Sequence, residues 1–334
     1  MIMVKRRSVV ALPLAMAAAL GRPALAAAGP VKWDLATNNP ATNYQVTTVQ
    51  QFAQAVAAST DGLVSINVAA GGMLGFKGPD MLAALRDGLV PIGTMLLNQQ
   101  VGLSPLLGTS SLPFLVSGFD EMRAFYALAR PVFEKDLARF NQKLLYVVPW
   151  PGQNVFSKAE SIGPASFRSM KIRTVDRIGS DFFRTLGAAP VQIPWGEVVP
   201  ALATGVIDSV TTSTSSSIDG QFWEFMKSCT VVNWQSNFEA ISVNLDAWNA
   251  ISPDSQAKIE GVANRLEPGF WDVAKAEDAG NFKTLQSKGM TVQDASPELR
   301  AYMLDKAKAS WAAFEVSVPA AKPLLQQYLK TVGK

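Results

Sequence analysis

Arg173 is the residue whose setting most invites chemistry. It lies in Phe167–Val175, "FRSMKIRTV", where Met170 and Ile172 alternate with Lys171 and Arg173. That alternation reads as a short strand with one apolar and one charged face. Arg173 then falls near the carboxyl end of the strand, just before a helix opening at Ser180-Asp181. A strand-end arginine is ordinarily a solvated or salt-bridged charge. Its guanidinium nevertheless stays ionised at any working pH and offers a planar fork that fits a carboxylate. Other polar groups follow other apolar runs: Thr37-Asn38, Gln153, and Thr211-Thr212. Gln153 is either a loop side chain in water or a neutral reader with one acceptor and two donors. In the second role it suits a 2-oxo or 2-hydroxy group, or one end of a monocarboxylate, better than a second carboxylate. Thr211, Thr212 and Ser213 read as a turn and helix N-cap cluster, and one of them, aligned at Thr212, could face a ligand. Trp150 adjoins Gln153 and could wall a pocket or stack on an aromatic acid. Trp195 reads as packing, and Trp234-Gln235, ahead of a returning strand, could close a cleft.

Several chemistries are excluded by composition. The chain of 334 residues contains no histidine and one cysteine, Cys229. Ser–His and Cys–His nucleophile systems and histidine metal sites are therefore absent, and no internal disulfide can form. Glu197 and Asp208 offer a paired-carboxylate reading in principle. Glu197 sits in the first turn of a helix, where the dipole alone justifies it, and Asp208 reads as a structural hydrogen-bonding residue. No catalytic residue, no metal site and no cofactor are expected.

Elements of the right kind surround these residues. Strands at 31–37, 63–69 and 92–97 alternate with helices at 47–58 and 79–89, the rhythm of an α/β domain with a largely parallel sheet. Helices at 120–129 and 131–140 precede an apolar strand at 144–148. The strongest break is Pro149-Trp150-Pro151-Gly152. After it the rhythm restarts, with strands at 170–174, 191–193 and 206–210 and helices at 180–186 and 195–203. A strand at 240–245 returns to the first domain, and helical stretches at 253–288 and 297–330 close the chain. The expected fold is α/β and two-lobed, each lobe a mixed, largely parallel sheet flanked by helices, with a cleft between the lobes. Residues 27–150 with about 239–278 would form lobe I, and 151–238 with about 279–334 lobe II. Open α/β sheets bind ligands beyond the carboxyl ends of their strands, which brings Arg173, Asn38, Gln153 and Thr212 towards one inter-lobe cleft.

The amino terminus reads as an export signal. Lys5, Arg6 and Arg7 precede an apolar stretch at 9–20 and the small-x-small pattern Ala24-Leu25-Ala26, so residues 1–26 form a signal peptide. Twelve apolar residues fall short of the roughly 20 that span a bilayer. Arg6-Arg7 also raises a twin-arginine route, although the residues around it match that pattern poorly. Without residues 1–26 the chain keeps 26 of its 30 cations against 27 acids. The basic pI of the whole sequence is thus no argument for nucleic acid, and the expected location is the periplasm.

Residues 170–209, "MKIRTVDRIGSDFFRTLGAAPVQIPWGEVVPALATGVIDS", resemble the extracytoplasmic solute-binding proteins of TRAP (tripartite ATP-independent periplasmic) transporters, dicarboxylate-receptor type. The matching marks are Lys171-Ile172-Arg173, Gly187-Ala188-Ala189-Pro190, Glu197-Val198 and Gly205-Val206-Ile207-Asp208. Leu112-Pro113-Phe114, Asp87-Gly88 and Val243–Trp248 support them. The resemblance implies a two-lobed receptor of the type II-like periplasmic-binding-protein architecture, with one long helix spanning both lobes. Such a receptor, monomeric or dimeric, closes on a small organic acid and delivers it to a membrane permease driven by an ion gradient. It makes Arg173 the carboxylate-binding residue. Where many members carry a second arginine this chain has Gln153, Asp208-Ser209 replaces a common D-G pair, and Thr212 replaces a common asparagine. These departures point away from a four-carbon dicarboxylate and towards a monocarboxylate, 2-oxo, 2-hydroxy or aromatic acid. A sensory module for organic acids and a secreted enzyme using Glu or Asp are the rival readings.

Overall fold

The computed structural model describes residues 29–334; the signal peptide expected at 1–26 lies outside them. In chain order, β1 (Val31–Ala36), α1 (Tyr44–Ser59), β2 (Val64–Ala69), α2 (Met81–Arg86), β3 (Ile92–Leu96), α3 (Gly118–Ala138) and β4 (Gln142–Trp150) come first. The middle of the chain holds β5 (Asn154–Ser157), β6 (Lys171–Thr174), α4 (Arg177–Thr185), β7 (Ala189–Gln192), α5 (Trp195–Ala203), β8 (Ser209–Thr212), α6 (Thr214–Asp219) and β9 (Ser228–Val231). Then follow β10 (Asn237–Asn244), α7 (Leu245–Asn249), α8 (Pro253–Ser287), β11 (Thr291–Asp294), α9 (Pro297–Ser317) and α10 (Lys322–Val332).

Two mixed sheets define two lobes. In lobe I the strand order is β2-β1-β3-β10-β4. There β1 runs parallel to β2 and β3, whereas β10 runs antiparallel to β3 and β4. In lobe II the order is β11-β9-β5-β8-β6-β7, with β6 parallel to both β7 and β8 and β5 antiparallel to β8 and β9. Each sheet is apolar on both faces, because helices cover both. In lobe I, Phe52 and Val56 of α1 meet Ile259 and Phe270 of α8 on one face. Met81, Leu85, Phe125 and Phe133 of α2 and α3 fill the other. In lobe II, Phe182 and Phe183 of α4 pack with Leu299 and Met303 of α9. Val198 and Leu202 of α5 pack with Phe156, Val210 and buried Cys229 on the opposite face.

The chain crosses between lobes through residues 150–154 and 233–237, through α8, and again where α9 leads into α10. The two extended crossings are hydrogen-bonded to each other, Gln153 N to Gln235 O at 3.0 Å and Trp234 N to Gln153 O at 3.1 Å. They approach so closely that a Cβ on Gly152 would run into the Asn233 side chain, which makes glycine a packing requirement there. At 35 residues, α8 extends about 52 Å. It packs Phe270 and Ala274 on lobe I and Leu285 in the core of lobe II. No helix among the described residues is long and apolar enough to cross a membrane.

Several boundaries differ from the sequence reading. The helices expected at 120–129 and 131–140 are one, α3, which continues through Pro131. Burial of Phe125 and Phe133 on either side of that proline outweighs the backbone bond it removes. The stretch expected as one helix at 297–330 breaks instead at Val318-Pro319, where proline disfavours a helical residue before it. The break sends α10 back to lobe I, not lobe II: Tyr328 meets Phe125 edge-on at 5.2 Å and donates to Glu121 at 2.9 Å.

Candidate functional site

The carboxyl ends of β1, β3 and β4 and the amino end of antiparallel β10 face the carboxyl ends of β6 and β8. Between them lies a cavity of about 350 Å³, at the small end of the range for ligand sites. Polar atoms converge on it from both lobes.

Arg173 reaches the cavity from β6. It is 2% exposed, so the alternation expected in "KIRTV" holds only at its start. Lys171 is exposed at the strand's beginning, while Ile172, Arg173 and Thr174 are all buried, Ile172 in the core of lobe II. Arg173 Nε donates to the Ile193 carbonyl at 3.0 Å, and neither Nη has a hydrogen-bond partner among the described residues. Burial pulls its pKa down to about 10, against the nearby Asp176 carboxylate, which raises it. It therefore remains a cation at neutral pH, buried with its fork unpaired. Such a cation is costly without an anion.

Gln153 and Thr212 stand beside it. Gln153 is 3% exposed and lines the cavity, and its Oε1 is buried with no partner. Thr212, the last residue of β8, is buried at the cavity wall, and its hydroxyl makes no hydrogen bond among the described residues. Its neighbours are committed: Thr211 accepts from Trp234 Nε1 at 2.7 Å, and Ser213 caps α6 by accepting from Ser216 N at 3.3 Å. Asn38 also lines the cavity. With its amide turned so that N and O exchange places, it donates to the Phe76 carbonyl and accepts from the Gly78 N–H, bracing the loop after β2. Trp150 forms a wall, 6% exposed, with its ring edge-on to Tyr44 at 5.7 Å.

Trp234 is not at the cleft. It is 1% exposed and stacks on Phe182 at 5.2 Å within lobe II. The crossing strand turns its side chain inward, towards the Thr211 hydroxyl, so it packs a core and walls no pocket. Conversely Trp195, read as packing, lies half-buried on the cavity wall and also touches Phe222.

The sequence reading missed the acids. Glu239 of β10 is 4% exposed and lines the cavity. Trp150 Nε1 donates to its Oε2 at 2.9 Å. Burial raises its pKa, and the nearby Trp150, Thr94 and Asn39 donors offset part of that rise. Asp219, at the end of α6, accepts from Asn43 of lobe I at 2.6 Å, and burial pushes its pKa up to about 6. At the rim Lys77 of lobe I and Glu197 of α5 pair at 2.8 Å, both more than half exposed. Asp208 is structural, accepting from Lys171 N at 3.0 Å. Deeper between the lobes Asp176 caps α4 and accepts from Asn98 of lobe I and from Gln235. These bonds hold the lobes together over the cavity.

Residues 35–317 match the model of the family described as bacterial extracellular solute-binding protein, family 7. A Bordetella pertussis extracytoplasmic solute receptor binding pyroglutamic acid is similar in structure, with a TM-score of 0.87 and 27% identity over 90% of this chain and 100% of that one. A marine metagenome TRAP solute-binding protein specific for pyroglutamate has a TM-score of 0.87 and 29% identity over 90% of this chain and 99% of that one. Among curated proteins, the uncharacterized protein y4mM of Sinorhizobium fredii is 32% identical over 201 residues, 58% of this chain. The match spans only 37% of that relative's length. The chain belongs to the bacterial extracellular solute-binding protein family 7, the receptors of TRAP transporters.

Proposed function

We propose that this chain is the extracytoplasmic receptor of a TRAP-type secondary transporter, binding one small organic acid between its lobes and delivering it to the membrane permease. It acts by binding and release, without turnover, and is exported with residues 1–26 removed as a signal. The observation that carries the reading is Arg173, a buried guanidinium that lines the cavity and whose two Nη groups have no hydrogen-bond partner among the described residues. A ligand carboxylate would supply the missing charge through bidentate bonds. Gln153 and the Thr212 hydroxyl lie within the same wall to read the rest of the molecule. Arg173 supplies part of the affinity only: charge-assisted bonds contribute about 1.5–3 kcal/mol each, against about 8 kcal/mol for a micromolar complex. The pyroglutamate-binding relatives and the cavity of about 350 Å³ favour a compact monocarboxylate.

A thermal-shift screen against mono- and dicarboxylates tests this. A micromolar ligand at millimolar concentration adds about 4 kcal/mol, and a monocarboxylate in the panel should raise Tm by several degrees. A broad panel in which no acid moves Tm would contradict the proposal.

A further inference from the structure

Arg173 and Glu239 are both nearly fully buried and both line one small cavity, one from each lobe. No Arg or Lys among the described residues pairs with Glu239, and Arg173 makes no ion pair. Each has its own protein partner: Arg173 donates to the Ile193 carbonyl, with the Asp176 carboxylate nearby, and Glu239 accepts from the Trp150 indole. Trp150 can donate but not accept, so it presents Glu239 as an acceptor. The remaining ionisable groups at the cavity reinforce the asymmetry. Asp219 is a further acid held by a neutral amide, and Lys77 is already paired with Glu197 at the rim. Arg173 is therefore the only cation on this wall, among the described residues, free to take an anion. Gln153 Oε1, buried and unpartnered, adds another acceptor in search of a donor.

We infer that Glu239 is a specificity-determining residue that selects organic acids carrying a single carboxylate and, away from it, a hydrogen-bond donor such as an amide N–H or a hydroxyl. The inference rests on the receptor reading above and deepens it. The carboxylate binds Arg173 and the donor points at the Glu239 carboxylate, with Gln153 Oε1 as the second acceptor. A dicarboxylate of the same size fails because its second carboxylate meets Glu239 in place of a cation, and like charges in a water-poor site repel. An acid lacking the donor leaves a desolvated carboxylate unpaired, the arrangement that gives polar sites their strongest discrimination.

The test is calorimetric titration of the full exported chain with matched acids that differ only in the donor. One pair is L-pyroglutamate, with a lactam N–H, against 5-oxotetrahydrofuran-2-carboxylate, where oxygen replaces the N–H. The other is 4-hydroxybutanoate against butanoate. In at least one pair the donor acid should bind wild type 10- to 100-fold more tightly. Glu239→Gln, whose amide can donate or accept, should narrow that gap to within about threefold. Since the wild-type comparison needs no variant, misfolding of Glu239→Gln leaves the test intact. Equal affinities within both pairs would overturn the inference. If donor-free acids bind best, and do so only with Arg173 present, this inference fails while the receptor reading stands. If no acid binds, both fail.

Discussion

Trp150 and Glu239 sit on neighbouring strands of lobe I, and the indole Nε1 donates to the carboxylate at 2.9 Å within the cleft wall. The register explains the pairing. Trp150 opposes Asn237 across the β4–β10 ladder, so Glu239 lies two residues along the same strand. Both side chains then project to one face, where Tyr44 supports the indole edge-on. A wall residue and a buried acid thus form one unit.

Trp150→Phe keeps the ring and removes the donor. Because the bond reaches a buried carboxylate, its loss should cost about 1.5–3 kcal/mol of stability, read as a lower midpoint in urea. Affinity for donor-bearing acids should fall with it, since Glu239 loses its orientation. An unchanged urea midpoint would show that the indole only fills space.

Lys77 and Glu197 close the rim from opposite lobes at 2.8 Å. Both are solvated, so the pair is a weak and salt-screened clasp. Lys77→Ala should speed ligand dissociation by no more than a few-fold at low ionic strength, measured by stopped-flow fluorescence, and the difference should vanish at high salt. The exchange Lys77→Glu with Glu197→Lys should restore the wild-type rate. A salt-independent effect would place the cause elsewhere.

Asp176 makes stability depend on pH in an unusual direction. Burial raises its pKa from an ordinary 3.8 to about 6, despite the Gly179 N–H, the Asn98 and Gln235 amides and the Arg173 cation that lower it. Between those values the folded chain holds a proton that the unfolded chain has lost. This contribution therefore grows as pH falls towards 4 and is lost as pH rises through about 6. Asp219, shifted up to about 6 as well, acts in the same sense. Tm should rise by a few degrees from pH 7.5 to 5.5, and Asp176→Asn should flatten that slope. The variant can be accommodated, because Asn98 Oδ1 is buried without a partner and can turn to accept the new amide. An identical slope in wild type and variant would show that Asp176 does not titrate in this window.

The stretch from Lys171 to Asp208 was legible because its strands end in polar residues and its turns are marked by Gly187, Gly205 and Pro190. The rule that ligands gather at strand carboxyl ends led to Arg173, Asn38, Gln153 and Thr212, all of which line the cavity. That same rule hid Glu239. β10 runs against its neighbours, so its amino end reaches the cleft, and antiparallel pairing of distant segments leaves no local mark. "NFEAISVN" does contain one signal, a lone acid in an otherwise uncharged buried strand. Trp234 failed for a related reason: position in the crossing strand was legible, but the side on which the ring falls depends on hydrogen bonds to Thr211 and Gln153. The strands β5, β9 and β11 were missed because four residues are too few for a period to stand out; β6, no longer, was legible through the alternation that begins ahead of it at Met170. Where α10 docks depends on the break at Val318-Pro319, which the sequence reading ran through as one helix.

The most direct measurement is the affinity of Arg173→Ala, by calorimetry, for an acid that stabilises the wild type. Arg173→Lys serves as the conservative control, keeping the charge but losing the fork. If Arg173 anchors the ligand carboxylate, the alanine variant should bind at least 100-fold more weakly and the lysine variant should fall between, with both still folded by circular dichroism. An alanine variant that binds its acid as tightly as wild type would contradict the assignment of Arg173 as the carboxylate anchor.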